Sequence, residues 1–113
     1  MDICFEGIGQ MVATFAAEKK LDPGMAVTLK ESGTVGLGDG NSPLCGITVG
    51  AERSGAVAVQ IGGVVKVKYS GNKPAVGLAT LTCDSEGKVT AGGEGGVSYL
   101  VLAADEESVI VRL

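Results

Sequence analysis

The chain contains no histidine and no tryptophan, only two phenylalanines and two tyrosines, and three cysteines in 113 residues. Each shortage excludes a class of chemistry. Without His, neither a Ser-His nor a Cys-His pair can be assembled, so the usual activated nucleophiles are absent and the common zinc patterns go with them. Cys4, Cys45 and Cys83 are odd in number and widely spaced, which gives no disulfide framework; Cys45 and Cys83 lie in apolar strands and read as small core residues. No apolar run approaches the roughly 20 residues of a membrane-spanning helix, and Met1-Asp2-Ile3-Cys4-Phe5-Glu6 lacks a basic leader, so the expectation is a chain made in the cytoplasm. The net charge of −4 repels phosphate backbones and anionic lipid, which makes nucleic acid and membrane surfaces poor partners.

What is present is glycine and small aliphatic residues. Nineteen glycines and a 45% hydrophobic content with so few aromatics mean a core of Val, Ile, Leu and Ala, which favours closely packed pleated strands. Turn chemistry separates short apolar runs: residues 11–17, 25–30, 34–35, 44–50, 56–61, 64–69, 78–83, 88–90, 97–103 and 108–113 read as strands. Gln10–Lys20 alone has room for a helix, but Val12, Thr14 and Phe15 without a cap favour strand. Gly36–Pro43 reads as a long hairpin loop, and Gly62-Gly63 as a kink that curls a nearly continuous strand toward closure. The faces Met25/Val27/Leu29, Val57/Val59/Ile61, Val65/Val67/Tyr69 and Val109/Val111/Leu113 are expected to be buried. Lys66 and Lys68 alternate with that third face and read as a solvated surface or a lysine-protected sheet edge.

The second half also looks like a copy of the first. With Gly24 laid on Gly77, the segments 24–60 and 77–113 align with Glu86 as the one insertion; Gly24, Ala26, Ser32, Gly33, Val35 and Ala51 meet their own kind. Met25 falls on Leu78, Leu44 on Val97 and Ile47 on Leu100. Side-chain parity slips in the last strand, where Val57 and Val59 fall on Ile110 and Arg112 although Val109 and Val111 are the apolar pair; either a bulge intervenes or the repeat is approximate. At this length the chain has room for one core, so residues 1–113 are expected to form a single all-β domain, a small closed or nearly closed barrel or sandwich with an internal pseudo-twofold duplication. Residues 1–10 stand ahead of it as a candidate arm.

Few residues suggest chemistry. Glu52 and Asp105 occupy equivalent turns and could form a general acid and base pair, but acidic residues also favour exposed turns. Asp39-Gly40-Asn41 lacks the regular oxygen ligands of a calcium loop, and the glycines at 36–40 and 92–96 lack the following Lys-Ser/Thr of a phosphate loop. The reading is of no enzyme, with no catalytic, cofactor-binding or metal-ligating residues. The apolar residues Ile3, Phe5 and Ile8 near the chain start, and Tyr69 on a candidate sheet edge, are the expected interface residues.

The run Met11-Val12-Ala13-Thr14-Phe15, then Gly24–Leu29, Gly33-Thr34-Val35, Cys45-Gly46-Ile47, Gly62–Gly71, Pro74–Gly77, Gly87-Lys88-Val89 and Tyr99–Leu102 resembles small β proteins encoded beside the major capsid protein in tailed phages and prophages of gut Firmicutes. More broadly it is similar to capsid decoration, or cement, proteins. The resemblance covers residues 11–113 and carries no chemical signature. It implies a non-enzymatic structural protein, a homo-oligomer, by analogy a trimer, that binds the major capsid protein on the outside of an assembled head and stabilises it. Its place would be the virion, and the host cytoplasm during assembly. The alternative is a small-molecule or carbohydrate-binding β module with its cleft between the halves.

Overall fold

A computed structural model describes residues 10–92 and 96–113, and every regular element among them is a strand. These are β1 (Met11–Ala17), β2 (Ala26–Glu31), β3 (Thr34–Gly36), β4 (Ser42–Pro43), β5 (Gly46–Thr48) and β6 (Ala56–Gly62), then β7 (Val64–Ser70), β8 (Gly77–Cys83), β9 (Val89–Ala91), β10 (Val97–Ala104) and β11 (Ser108–Arg112). The fold is all-β, and residues 11–17 are strand.

β1, β3, β2, β5 and β6 close into a barrel, and β7, β9, β8, β10 and β11 close into a second with the same plan. In each, the first strand pairs parallel with the third and antiparallel with the last. The second strand runs antiparallel to its neighbours on both sides. The structural unit thus starts one strand earlier than the aligned segments, at β1 and at β7. Glycine turns explain why the copies align: Gly33 and Gly87 take positive φ, 71° and 80°, in the turns that reverse β2 into β3 and β8 into β9. In the last strand the structure pairs Val57 and Val59, facing the first core, with Val109 and Val111, facing the second. A bulge is present there, since the β10–β11 register shifts between Val101 and Ala103.

Three local readings are corrected. β7 is not a sheet edge, because β9 and β11 flank it; Lys66 and Lys68 simply lie on its outer side. Gly62-Gly63 does not curl one sheet closed. The chain crosses there from one barrel to the other, with Gly63 at φ 86°. The buried Gln60 amide secures the crossing by donating to the carbonyls of Gly62 at 3.0 Å and Val64 at 3.1 Å. Nor is Gly36–Pro43 a hairpin loop. It leaves the first barrel and adds β4 to β8 of the second, pairing Ser42 with Cys83 and Pro43 with Thr82. Gly38 lets the crossing lie this close, since a Cβ there would stand 2.3 Å from the Cys83 carbonyl oxygen.

Two buried clusters follow from this plan. Leu21, Val27, Val35, Val57 and Val59 fill the first barrel; Val65, Val67, Leu81, Cys83, Val89, Val101, Val109 and Val111 fill the second. Ala26, Leu44 and Ile47 come from the first barrel yet pack into the second cluster, so the barrels share a joint. The Ala26 N–H donates to the Gly87 carbonyl at 2.8 Å, and the Tyr99 hydroxyl donates to the Leu44 carbonyl at 2.6 Å across it. The faces expected to be buried are buried or, at Met25, Ile61, Tyr69 and Leu113, partly buried against the cores, with one exception. Leu29 is 55% exposed, because β2 slips register between Leu29 and Glu31 and its last half leaves the core.

Candidate attachment surface

Of the four residues expected to form an interface, Ile3, Phe5 and Ile8 lie outside the described residues. Tyr69 packs against the second core and donates its hydroxyl to the Asp105 carbonyl at 2.8 Å, so this side chain serves the barrel's interior. Burial first, then the charges of Glu106 and Asp105, push its phenol up from the ordinary value. Tyr99 and Phe15 also pack against the two cores, which leaves none of the three described aromatics as an outward platform. Cys45 packs against the first core, and burial raises its thiol. Cys83 is fully buried, and burial, followed by the charge of Asp84, pushes its thiol up to about 11.

The acidic turns prove to be hydrogen-bond caps. Glu52 accepts from the Gly55 N–H, and Asp105 accepts from the N–H groups of Glu107 at 2.9 Å and Ser108 at 2.8 Å, each inside its own hairpin. These bonds hold the Asp105 carboxyl below the usual value, in its charged form at neutral pH. Asp39 is held down the same way by the Asn41 N–H and then the Ser42 hydroxyl.

Asp84 is the most connected of these carboxylates. It accepts from Glu86 N–H and Lys88 N–H, each at 2.9 Å, and from the Ser70 hydroxyl at 2.7 Å. Partial burial pushes its carboxyl up, but the bonds from Ser70, Lys88 and Glu86 together outweigh this and leave it depressed. A depressed folded-state value means the stabilisation is complete above the unfolded value, about 4, and is lost as pH falls through the folded one. Asp84→Asn should therefore lose less stability than the parent chain between pH 5 and pH 2, measured by urea unfolding; equal acid slopes would refute the assignment.

The exposed surface falls into distinct regions. Between the barrels lies an open groove of about 580 Å³ lined by Met25, Lys66, Lys68, Glu86, Lys88 and Glu107. It carries mixed charge and no aromatic ring. On the first barrel, the outward residues of β1 and β6 are Val12, Thr14 and Ala16 beside Ala56 and Ala58, with Val49 bound to the Ala58 carbonyl at the margin. The cross-strand pairs of this face are uncharged, with Arg53 bridged to Ala56 at its edge. On the second barrel, Leu78 of β8 and Leu100 of β10 stand opposite each other on the outer side.

No family model matches the chain, and no curated protein matches its sequence. Among solved structures it is similar to the head fiber gp8.5 N base in bacteriophage phi29, with a TM-score of 0.62, covering 92% of this chain and 93% of that one. Sequence identity is 14%. The likeness is therefore one of fold, and it extends over both barrels and their arrangement rather than over one of them. Neither exposed apolar face was marked in the sequence. Alternation did show Val12, Thr14 and Ala16 on one side of β1, but which side meets solvent depends on how the strands close.

Proposed function

We propose that this protein is a non-enzymatic structural component of a tailed-phage or prophage head, bound to the outer surface of the shell through the major capsid protein and stabilising it. The observation that carries this reading is the near end-to-end structural likeness to a phage head fiber base. The chemistry of the chain is consistent with it: the paired carboxylates are used up in capping their own turns, which suits a rigid body better than a reaction centre. We assign the shell contact to the β1–β6 face, because its cross-strand pairs carry no ionised side chain and close approach over them removes few charges from water. Many copies on a symmetric shell would multiply a weak contact into lasting attachment.

Mixing the purified protein with empty and expanded heads of the parent phage should give stoichiometric co-sedimentation. Ala58→Glu should lower head occupancy at least tenfold with the fold intact by circular dichroism, since a charge would be buried in the contact. A double Glu52→Ala, Asp105→Ala variant should still bind. Absence of co-sedimentation with either head form would sink the proposal; saturable binding of a sugar in the charged groove would favour the alternative module instead.

A further inference from the structure

Strand register fixes which residues of the two barrels correspond. Val35 pairs with Ala17 of β1 as Val89 pairs with Tyr69 of β7, which sets Phe15 on Val67 and Thr14 on Lys66. Phe15 in turn pairs with Val57, and Val67 with Val109, so Ala58 on β6 corresponds to Ile110 on β11. Both point away from the barrel interior, because Val57 and Val59 on one strand, and Val109 and Val111 on the other, fill the cores. Outward residues of the second barrel are mostly open to solvent: Lys66, Lys68, Thr80, Ser98 and Arg112 are all exposed. Ile110 is not. It is 2% exposed, and Ser108 on the same side of β11 is 8% exposed. Its cross-strand neighbours do not explain this, since Lys66 is itself exposed and Ala103 carries a single methyl group. Among the described residues, Ile110 joins neither core cluster.

An isoleucine this deeply buried on the outside of a barrel needs apolar cover from elsewhere. We propose that residues 1–9 of the same chain cross from the first barrel and cover Ile110 on the outer side of β11, packing Ile3, Phe5 and Ile8 over it. The occupant follows from where the segment begins, how far it reaches and what it carries. Gln10, the first described residue, donates its side-chain amide to the Gln60 side chain at 3.1 Å, and Met11 pairs with Gly62. Two residues beyond Gly62, Val64 pairs with Arg112, and Ile110 stands two residues further along β11. Nine extended residues span up to about 30 Å, more than this run requires. Residues 93–95, also outside the described ones, are Gly-Glu-Gly and offer no apolar side chain. Charge agrees: the segment carries Asp2 and Glu6 and no basic side chain, and the face it would cross presents Lys66, Lys68 and Arg112. Such a strap ties β1 of one barrel to β11 of the other, and it spends Ile3, Phe5 and Ile8 within the chain rather than on a neighbour. The inference does not rest on the capsid reading, and it leaves the β1–β6 face free.

A double-mutant cycle reads the contact directly. In the full chain, Ile110→Thr should lower the thermal midpoint by about 5 °C or more, because it removes apolar contact beneath a cover. A chain lacking residues 1–9 should fold with a lower midpoint of its own. In that chain the same substitution should shift the midpoint by less than about 2 °C, since threonine suits an exposed strand position. Equal shifts in the two backgrounds, or a truncated chain as stable as the full one, would overturn the proposal. Nuclear magnetic resonance of the full chain identifies the occupant without any substitution. Overhauser contacts should join the Ile110 methyl groups to side-chain protons of residues 3–8, and in an equal mixture of carbon-13-labelled and unlabelled chains none should pass between molecules. Contacts between molecules would assign the cover to a second copy, and no contact at all would assign it elsewhere; either result rejects the strap.

Discussion

Leu81→Ala is expected to destabilise the whole chain by about 2–5 kcal/mol, the range for emptying a fully buried leucine site. Leu81 is completely buried in the second barrel's cluster and is flanked on β9 by Ala91 and on β10 by Val97. Domains of this size hold only about 5–15 kcal/mol, so the loss would take a large share of the total. The first barrel should fall with the second. Its own buried cluster consists of Leu21, Val27, Val35, Val57 and Val59, while Ala26, Leu44 and Ile47 are spent on the joint. Urea unfolding should stay a single transition with a lowered midpoint, and amides of Val27 and Val57 should lose exchange protection in step with those of Val67 and Val109. Retained protection in the first barrel alone would mean two independent units.

That coupling marks the limit of what the residues announce by themselves. Strand positions were legible because alternation and glycine turns are local signals, and Gly24, Gly33 and Gly87 each stand where a positive φ is needed. Partner choice is not local. Nothing along Ala56–Tyr69 says whether Gly63 bends one sheet or hands the chain to a second barrel, since either use needs the same freedom at that residue. β4 was read as loop because Ser42-Pro43 lacks alternation and proline lacks a donor, and its pairing with β8 appears only when the crossing is formed. The parity slip at Val57 and Val109 is visible in the alignment; the register that produces it, with Thr48 paired to Val59 but Val101 to Val111 across a hairpin one residue shorter, is not. For the candidate surfaces the gap is wider. Aligning Met25 with Leu78 misses the structural register by one residue: Leu29 pairs with Val35 as Cys83 pairs with Val89, which sets Met25 on Ala79, and a one-residue offset of this kind is visible only once the strands pair. Tyr69 illustrates the converse, since an aromatic on an alternating strand reads equally as contact or core until its hydroxyl is seen on Asp105.

Gly46→Ala should cost about 1–3 kcal/mol or more, although it adds a single methyl group to a strand residue whose backbone conformation alanine tolerates. The reason is space. A Cβ at Gly46 would stand 2.3 Å from the carbonyl oxygen of Gln60 and 2.7 Å from Cγ1 of Val59. The nearest atom is backbone, which cannot rotate aside as a long side chain would. Relief would require β5 to part from β6, and with it the pairings of Ile47 with Gln60 and Thr48 with Val59. Gln60 also holds the crossing to the second barrel through Gly62 and Val64, so the strain reaches the joint. Gly50, at the end of the same hairpin arm, has nothing within 4 Å of a built Cβ and no positive φ. Gly50→Ala should therefore be neutral or stabilise by about 0.4–1 kcal/mol, by restricting the unfolded chain. Chemical denaturation of the two variants measures the difference directly, and a Gly46→Ala chain as stable as Gly50→Ala would show that the first barrel is looser at β5 than its packing implies.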